Sequence, residues 1–222
     1  MSAATAIPTD ALLVKTILPP GNNDRLPDCL PDCLPAIMQH LRGALKPSPA
    51  ELHSAFSAAQ KELYVYLHFP ERTPIDKAVA ASLELALERE WPQLQQTCVS
   101  RLQKVFEAKG ASAGSKPLFH YVVEMDPESG WMPELAQWYD TEHMPGLAAV
   151  PGCIRAARFL NHDHGPLSLA CYDLVTEGTL GSAPWLAVRA TDWSNRMRPH
   201  FTHTIRTMFK VLPDSHTTES GT

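Results

Sequence analysis

Residues 131–160 read WMPELAQWYDTEHMPGLAAVPGCIRAARFL. The apolar spacing predicts a helix from Glu134 to Val150, stopped at Pro151-Gly152, and then a strand from Cys153 to Leu160. Inside the helix, Trp138-Tyr139-Asp140-Thr141-Glu142-His143-Met144-Pro145 gathers two aromatics, two acids and a histidine in under two turns. An amphipathic helix needs no such density of polar and aromatic groups at its C-terminal end. The stretch therefore marks both a helix-to-strand crossover and a candidate site.

Outward from it, Leu118–Met125 (LFHYVVEM) reads as the preceding strand. Leu167–Val175 reads as the strand that pairs with Cys153–Leu160 across NHDHGP, whose residues suit a turn. A helical tail is expected over 183–211, bent at Pro199. The first half gives the same order. Ala11–Leu18 is a strand and Pro35–Leu45 a helix. Leu52–Ala58 and Glu62–Phe69 form a strand pair, and a long helix follows to about Ala108, with Pro92 in its first turn. An offset of 106 residues places Leu63 and Tyr66 on Leu169 and Tyr172. An offset of 103 matches Leu94, Leu102, Val105 and Phe106 with Met197, Ile205, Met208 and Phe209. Each half is then βαββα, with residues 1–110 and 111–222 as the two domains and the small, polar Lys109–Lys116 as linker.

A βαββα unit leaves one sheet face without helices, and two such sheets cover each other if they pair. On the 118–125 strand, Phe119, Tyr121, Val123 and Met125 form an apolar face suited to helices. Leu118, His120, Val122 and Glu124 form a mixed face suited to an enclosed lumen. The expected fold class is α+β, tandem ferredoxin-like, with antiparallel sheets packing into a barrel within one chain or with a second copy. A homodimer is expected.

Composition limits the function classes. The chain has 222 residues, 44% hydrophobic and 19% charged, with a net charge of −5, so it can bury a core and shows no basic stripe for nucleic acid. Its apolar runs are too short to span a membrane, and MSAATAIPTD lacks a secretory pattern, so the cytoplasm is expected. Five scattered cysteines argue against a disulfide framework. Cys29 and Cys33 sit in LPDCLPDCLP, read as a proline-rich loop before a helix. No further ligands follow at metal-site spacing, so no metal and no cofactor are expected.

WYDTEHMPGL followed by PGCIRAARF resembles the pattern of the EthD-like branch of the dimeric α/β-barrel (ferredoxin-like) superfamily, over about residues 117–211. The first half resembles it only in the order of elements. The resemblance implies two ferredoxin-like units that form a barrel with a pocket. That superfamily includes degradation-pathway proteins, polyketide cyclases, monooxygenases without a metal, isomerases and haem-binding branches, so the fold does not fix a reaction.

His143 is the leading candidate for proton transfer, since a neutral imidazole can give or take a proton near pH 7. On an α-helix Tyr139 and Asp140 share its face and complete the catalytic set, while Glu142 points elsewhere. Ligand contact without chemistry and capping of the helix end are the competing readings. His120, Glu124, Arg158 and Trp138 are the candidate substrate-binding residues. Arg158 and Arg155 point to opposite faces of their strand, and one of them is expected to meet the lumen. His162 and His164 read as a polar hairpin tip, and His200 and His203 lack an acidic third ligand. The reading is of a protein that holds a small organic molecule and moves a proton on it, as isomerase, dehydratase or cyclase. A non-catalytic binding or accessory role is the alternative.

Overall fold

Alternating apolar residues make the strands of this protein, and antiparallel register decides which faces the helices cover. The structure, a computed structural model, describes residues 6–19 and 30–213. It divides into two units. The first takes the described residues up to Leu102 and those from Val211; the second is Gln103–Lys210.

The first unit contains β1 (Ile7–Ile17), α1 (Leu30–Ala44), β2 (Glu51–Ser57), β3 (Glu62–Ile75), α2 (Lys77–Glu90) and the start of β4 (Gln95–Lys109). β1 is central, antiparallel to β3 and β4, and β2 pairs with β3, giving the order β4-β1-β3-β2. Ile37, Met38 and Leu41 of α1 and Leu83 and Leu87 of α2 recur at helical spacing and are buried against Leu12, Val14 and Val65 of the sheet. Asp76 caps α2, its carboxylate accepting from the Ala78 N–H at 2.8 Å.

The long helix expected to Ala108 is corrected here. Helix α2 ends at Glu90, and Pro92 lies two residues past its last turn, a common place for proline after a C-terminus. The segment from Gln95 carries Thr97, Val99 and Val105, and it pairs with β1 as a strand. The proline-rich loop is corrected as well, because residues 30–35 lie within α1 and Cys33 packs partly buried against the core. Residues 26–29, with Cys29, lie outside the described residues.

The second unit runs through the end of β4, β5 (Phe119–Pro127), α3 (Met132–Trp138), a π-helical turn (Tyr139–His143), α4 (Met144–Ala148), β6 (Cys153–Asn161), β7 (Ser168–Leu174), α5 (Ala183–Arg189), α6 (Asp192–Met197) and β8 (Phe201–Val211). β5 lies between β7 and β8, and β6 pairs with β7, so the order is β8-β5-β7-β6. The first unit's strands follow the same pattern. Each unit is thus βαββαβ, and the fold class is α+β, tandem ferredoxin-like. The expected helical tail is overturned. Its two short helices stop before Pro199, and FTHTIRTMFKV, with five β-branched residues, forms β8.

Residues 109–116 are no slack connector. Gly110 and Ser112 donate to the carbonyls of Ile154 and Cys153, and Ala111 donates to Ala148, each at 2.8 Å. The two units divide inside β4, upstream of this turn. Among the described residues, no helix is long and apolar enough to cross a membrane.

Candidate functional site

The WYDTEH helix does not run as a plain α-helix. Pro145 has no N–H, and in an α-helix its ring presses on the carbonyl four residues back, here Thr141. The turn before it widens instead, and the Met144 N–H reaches the Tyr139 carbonyl five residues away. Such π turns recur at functional sites because they re-aim side chains. His143 now lies flat against Trp138, five residues back, with ring centroids 4.2 Å apart and planes at 24°. Tyr139 meets it edge-on at 5.6 Å. Asp140 turns away to Arg158.

His143, Trp138 and Tyr139 line one cleft on the helix-covered face of the second sheet, together with Tyr121 and Tyr172 from the strands. That face is the one expected from the alternation of Tyr121, Val123 and Met125. Arg189, Arg198 and Arg206 line the same cleft, from the end of α5, just after α6, and β8. The free space is about 30 Å³, room for about two or three waters. None of the twelve lining residues is an aspartate or glutamate.

This environment fixes the protonation states. Burial first, and then the Arg189 and Arg198 guanidiniums, hold the His143 pKa down to about 3. Its Nδ1 is shut off from solvent and has no hydrogen-bond partner among the described residues. Burial also raises the Tyr139 and Tyr172 phenols, which therefore stay neutral donors at physiological pH. The Tyr172 hydroxyl donates to the Met144 sulfur at 3.0 Å. Burial, followed by Arg189 and Arg206, holds the Arg198 guanidinium below its ordinary range.

The low histidine pKa has a stability consequence. Below about pH 6.5 the unfolded chain binds a proton on residue 143 that the folded chain refuses until about pH 3. Folding stability should therefore fall as pH drops through this window, by up to about 1.4 kcal/mol per pH unit from this residue. Urea unfolding of wild type and His143→Gln between pH 7.5 and 4.5 checks it. The two stabilities should converge as pH falls and cross before pH 4.5, and parallel profiles would remove the account.

Arg158 is buried, 2% exposed, on the helix-covered face. Its Nη2 donates to Asp140 Oδ1 at 2.9 Å, and its guanidinium carbon lies 5.3 Å over the Tyr139 ring. Asp140 is not among the residues lining the cleft, and Arg158 is its hydrogen-bond partner. Asp140→Asn should thus cost about 1–2 kcal/mol of stability by leaving a buried cation poorly paired, discounted because Asp140 is half-exposed. Thermal melts and ligand binding measured together separate this from chemistry, since unchanged stability with lost turnover would return Asp140 to the catalytic set.

The remaining expected binding residues do not join this group. His120 and Glu124 are buried on the opposite face of the same sheet. His120 Nδ1 lies 2.7 Å from Asp173 Oδ1, and Arg155, on that face, comes within 4.0 Å of Asp173. Among the other histidines, His200 pairs with Glu128 at 2.6 Å and stacks on Trp131, while His203 pairs with Asp126 at 2.9 Å. The NHDHGP hairpin is shaped by Asn161, whose side-chain oxygen accepts from the Asp163 N–H at 3.0 Å. Arg189, Arg198 and Arg206 were absent from the expected site. They lay in the stretch read as one helix, whereas strand register sets Arg206 opposite Val123, which also lines the cleft.

No protein-family model matches the chain, and no curated protein matches it. Solved structures do. A proposed monooxygenase from Fusobacterium nucleatum subsp. nucleatum is 8% identical, covers 93% of this chain and 94% of its own, and superposes with a TM-score of 0.59. An anthrone oxidase-like protein is 10% identical over 94% of each chain, also at 0.59. A mutant chlorite dismutase from Candidatus Nitrospira defluvii is 9% identical over 93% of each chain, at 0.58. At such identity the likeness shows the fold, that of the dimeric α/β-barrel (ferredoxin-like) class. Haem, held by some branches of that class, does not fit between these side chains. Cofactor-sized pockets run to about 300–1,000 Å³, against about 30 Å³ here.

Proposed function

We propose that the second unit binds a small organic molecule by an oxygen-bearing head group and moves a proton on it through His143. One observation carries this reading: a neutral, partly buried imidazole with an unpaired Nδ1, in a cleft lined with donors and without acids. The ring nitrogen that faces the ligand offers its lone pair as base, the ring's proton resting on the other nitrogen. The C–H bond beside a ligand carbonyl breaks, its electron pair moves to the carbonyl oxygen, and the proton forms N–H on His143. Return of that proton to another carbon completes an isomerisation and restores the neutral ring.

Arginine guanidiniums suit this step because negative charge develops on the ligand oxygen and positive charge on the imidazole at once. By themselves they make His143 a weak base, and an enolate formed among them offsets that effect. The resemblance of WYDTEHMPGL to EthD-like sequences fits a small metabolite as ligand. The narrow cleft holds only the head group, so the rest of the molecule extends past the arginines. A non-catalytic binding role uses the same cleft without the proton step. Native mass spectrometry of the purified protein identifies a retained ligand. Incubating that ligand in heavy water with wild type and His143→Gln then tests the step, because deuterium uptake should require the histidine. Equal uptake with both proteins leaves only the binding role.

A further inference from the structure

Too much fixed positive charge lines this cleft for a neutral ligand. Arg189, Arg198 and Arg206 converge on it from three separate elements. Among the described residues, Arg189 and Arg206 have no carboxylate within ion-pair distance. Three acids of the neighbouring helices are engaged elsewhere: Glu134 with Arg196, Glu142 with the Thr191 hydroxyl, and Asp140 with Arg158. Arg198 is held in place by the Ser194 and Arg189 carbonyls and the Asn195 side chain, none of which cancels its charge. Two further donors line the cleft. Trp138 and Trp185 are each 1% exposed, and neither buried indole N–H has an acceptor among the described residues. Buried donors left unpaired are costly, and a ligand oxygen brought against them would satisfy them.

We infer that the ligand enters already as an anion, its carboxylate or equivalent oxyanion held by Arg189, Arg198 and Arg206 and by the indole N–H groups of Trp138 and Trp185. Planar, forked guanidiniums match the two oxygens of a carboxylate, and a head group of that size fits the free space. This rests on the proposed function for its site, but not on the proton step. It adds the substrate class: a small organic acid with an apolar or aromatic body.

Benzoate and its neutral analogue benzamide separate charge from shape. Tryptophan fluorescence titration of the full chain should show benzoate binding at least about tenfold more tightly than benzamide. Arg206→Gln, at an exposed position and so with little cost to folding, should weaken benzoate about tenfold and benzamide by less, so that the preference for benzoate shrinks. His143→Gln should keep the preference for benzoate. Equal affinity for the two ligands, no binding of either, or an Arg206→Gln variant that binds benzoate like wild type each overturns the anion site. If the charge preference holds while His143→Gln still supports deuterium uptake, the proton-transfer reading alone falls. If the preference is absent while that uptake is lost, the anion inference alone falls.

Discussion

His143→Gln is expected to slow proton exchange on the bound ligand by about 10²–10⁴-fold, the usual contribution of a positioned general base. Glutamine keeps a polar side chain of similar reach, so the variant isolates loss of the basic nitrogen from loss of bulk. Stability at pH 8, where both side chains are neutral, should drop by only about 0.5–1.5 kcal/mol, the worth of the stack on Trp138. That stack, with ring centroids 4.2 Å apart, is the main packing interaction that glutamine cannot reproduce. A drop of several kcal/mol with exchange intact would make the histidine a packing group and refute its role as base. The pH profile adds a second signature. With burial and the arginines holding the imidazole at about pKa 3, the base is already neutral at pH 7, so exchange should not fall as pH drops from 8 to 6. A bound oxyanion pulls the pKa upward, and the acid limb of the bound complex should lie above that of the free protein.

The strand faces and the helix-to-strand crossover were readable from the sequence because period-two alternation survives in Tyr121, Val123 and Met125, and because Pro151-Gly152 gives a clear break. Failures came where one signal had two meanings. Pro92 reads equally as the start of a helix or as the residue after one, and the first choice turned β4 into a helix. The stretches matched by the internal offset of 103 residues, 94–106 and 197–209, both overlap the last strand of their unit, but the offset sets buried Leu102 on exposed Ile205. The same choice hid the arginines, since residues on a supposed tail helix had no register with β5. Within the signature, Pro145 four residues after Thr141 was the available sign of a widened turn. Counting 3.6 residues per turn through it put Asp140 beside His143, where the structure puts Trp138. The separation of His120 and Glu124 from the cleft follows from the alternation itself, which had already set them on the other face. What sequence could not supply is which of the two faces holds the donors, because that depends on helices α5 and α6 folding back over the strands.

Gly110→Ala should cost about 3 kcal/mol or more, the largest stability loss expected of a single methyl here. KGASAGSK looks like a flexible linker by composition, yet its first glycine sits against β6. A Cβ at residue 110 would lie 2.2 Å from the Cys153 carbonyl oxygen and 2.8 Å from the Ile154 carbonyl carbon. Both are backbone atoms, and neither can swing aside as a side chain could. Relief requires breaking the Gly110–Ile154 and Ser112–Cys153 hydrogen bonds, each 2.8 Å, which pin the turn to the start of β6. Gly114, in the same turn, is the control. It has φ +93° and nothing within 4 Å of an added Cβ, so alanine there meets only the left-handed backbone penalty of about 1–2 kcal/mol. Urea unfolding of the two variants should therefore differ by well over 1 kcal/mol, with Gly110→Ala the weaker. If the two lose equal stability, glycine at 110 serves only backbone freedom, and the close approach of this turn to β6 does not constrain the fold.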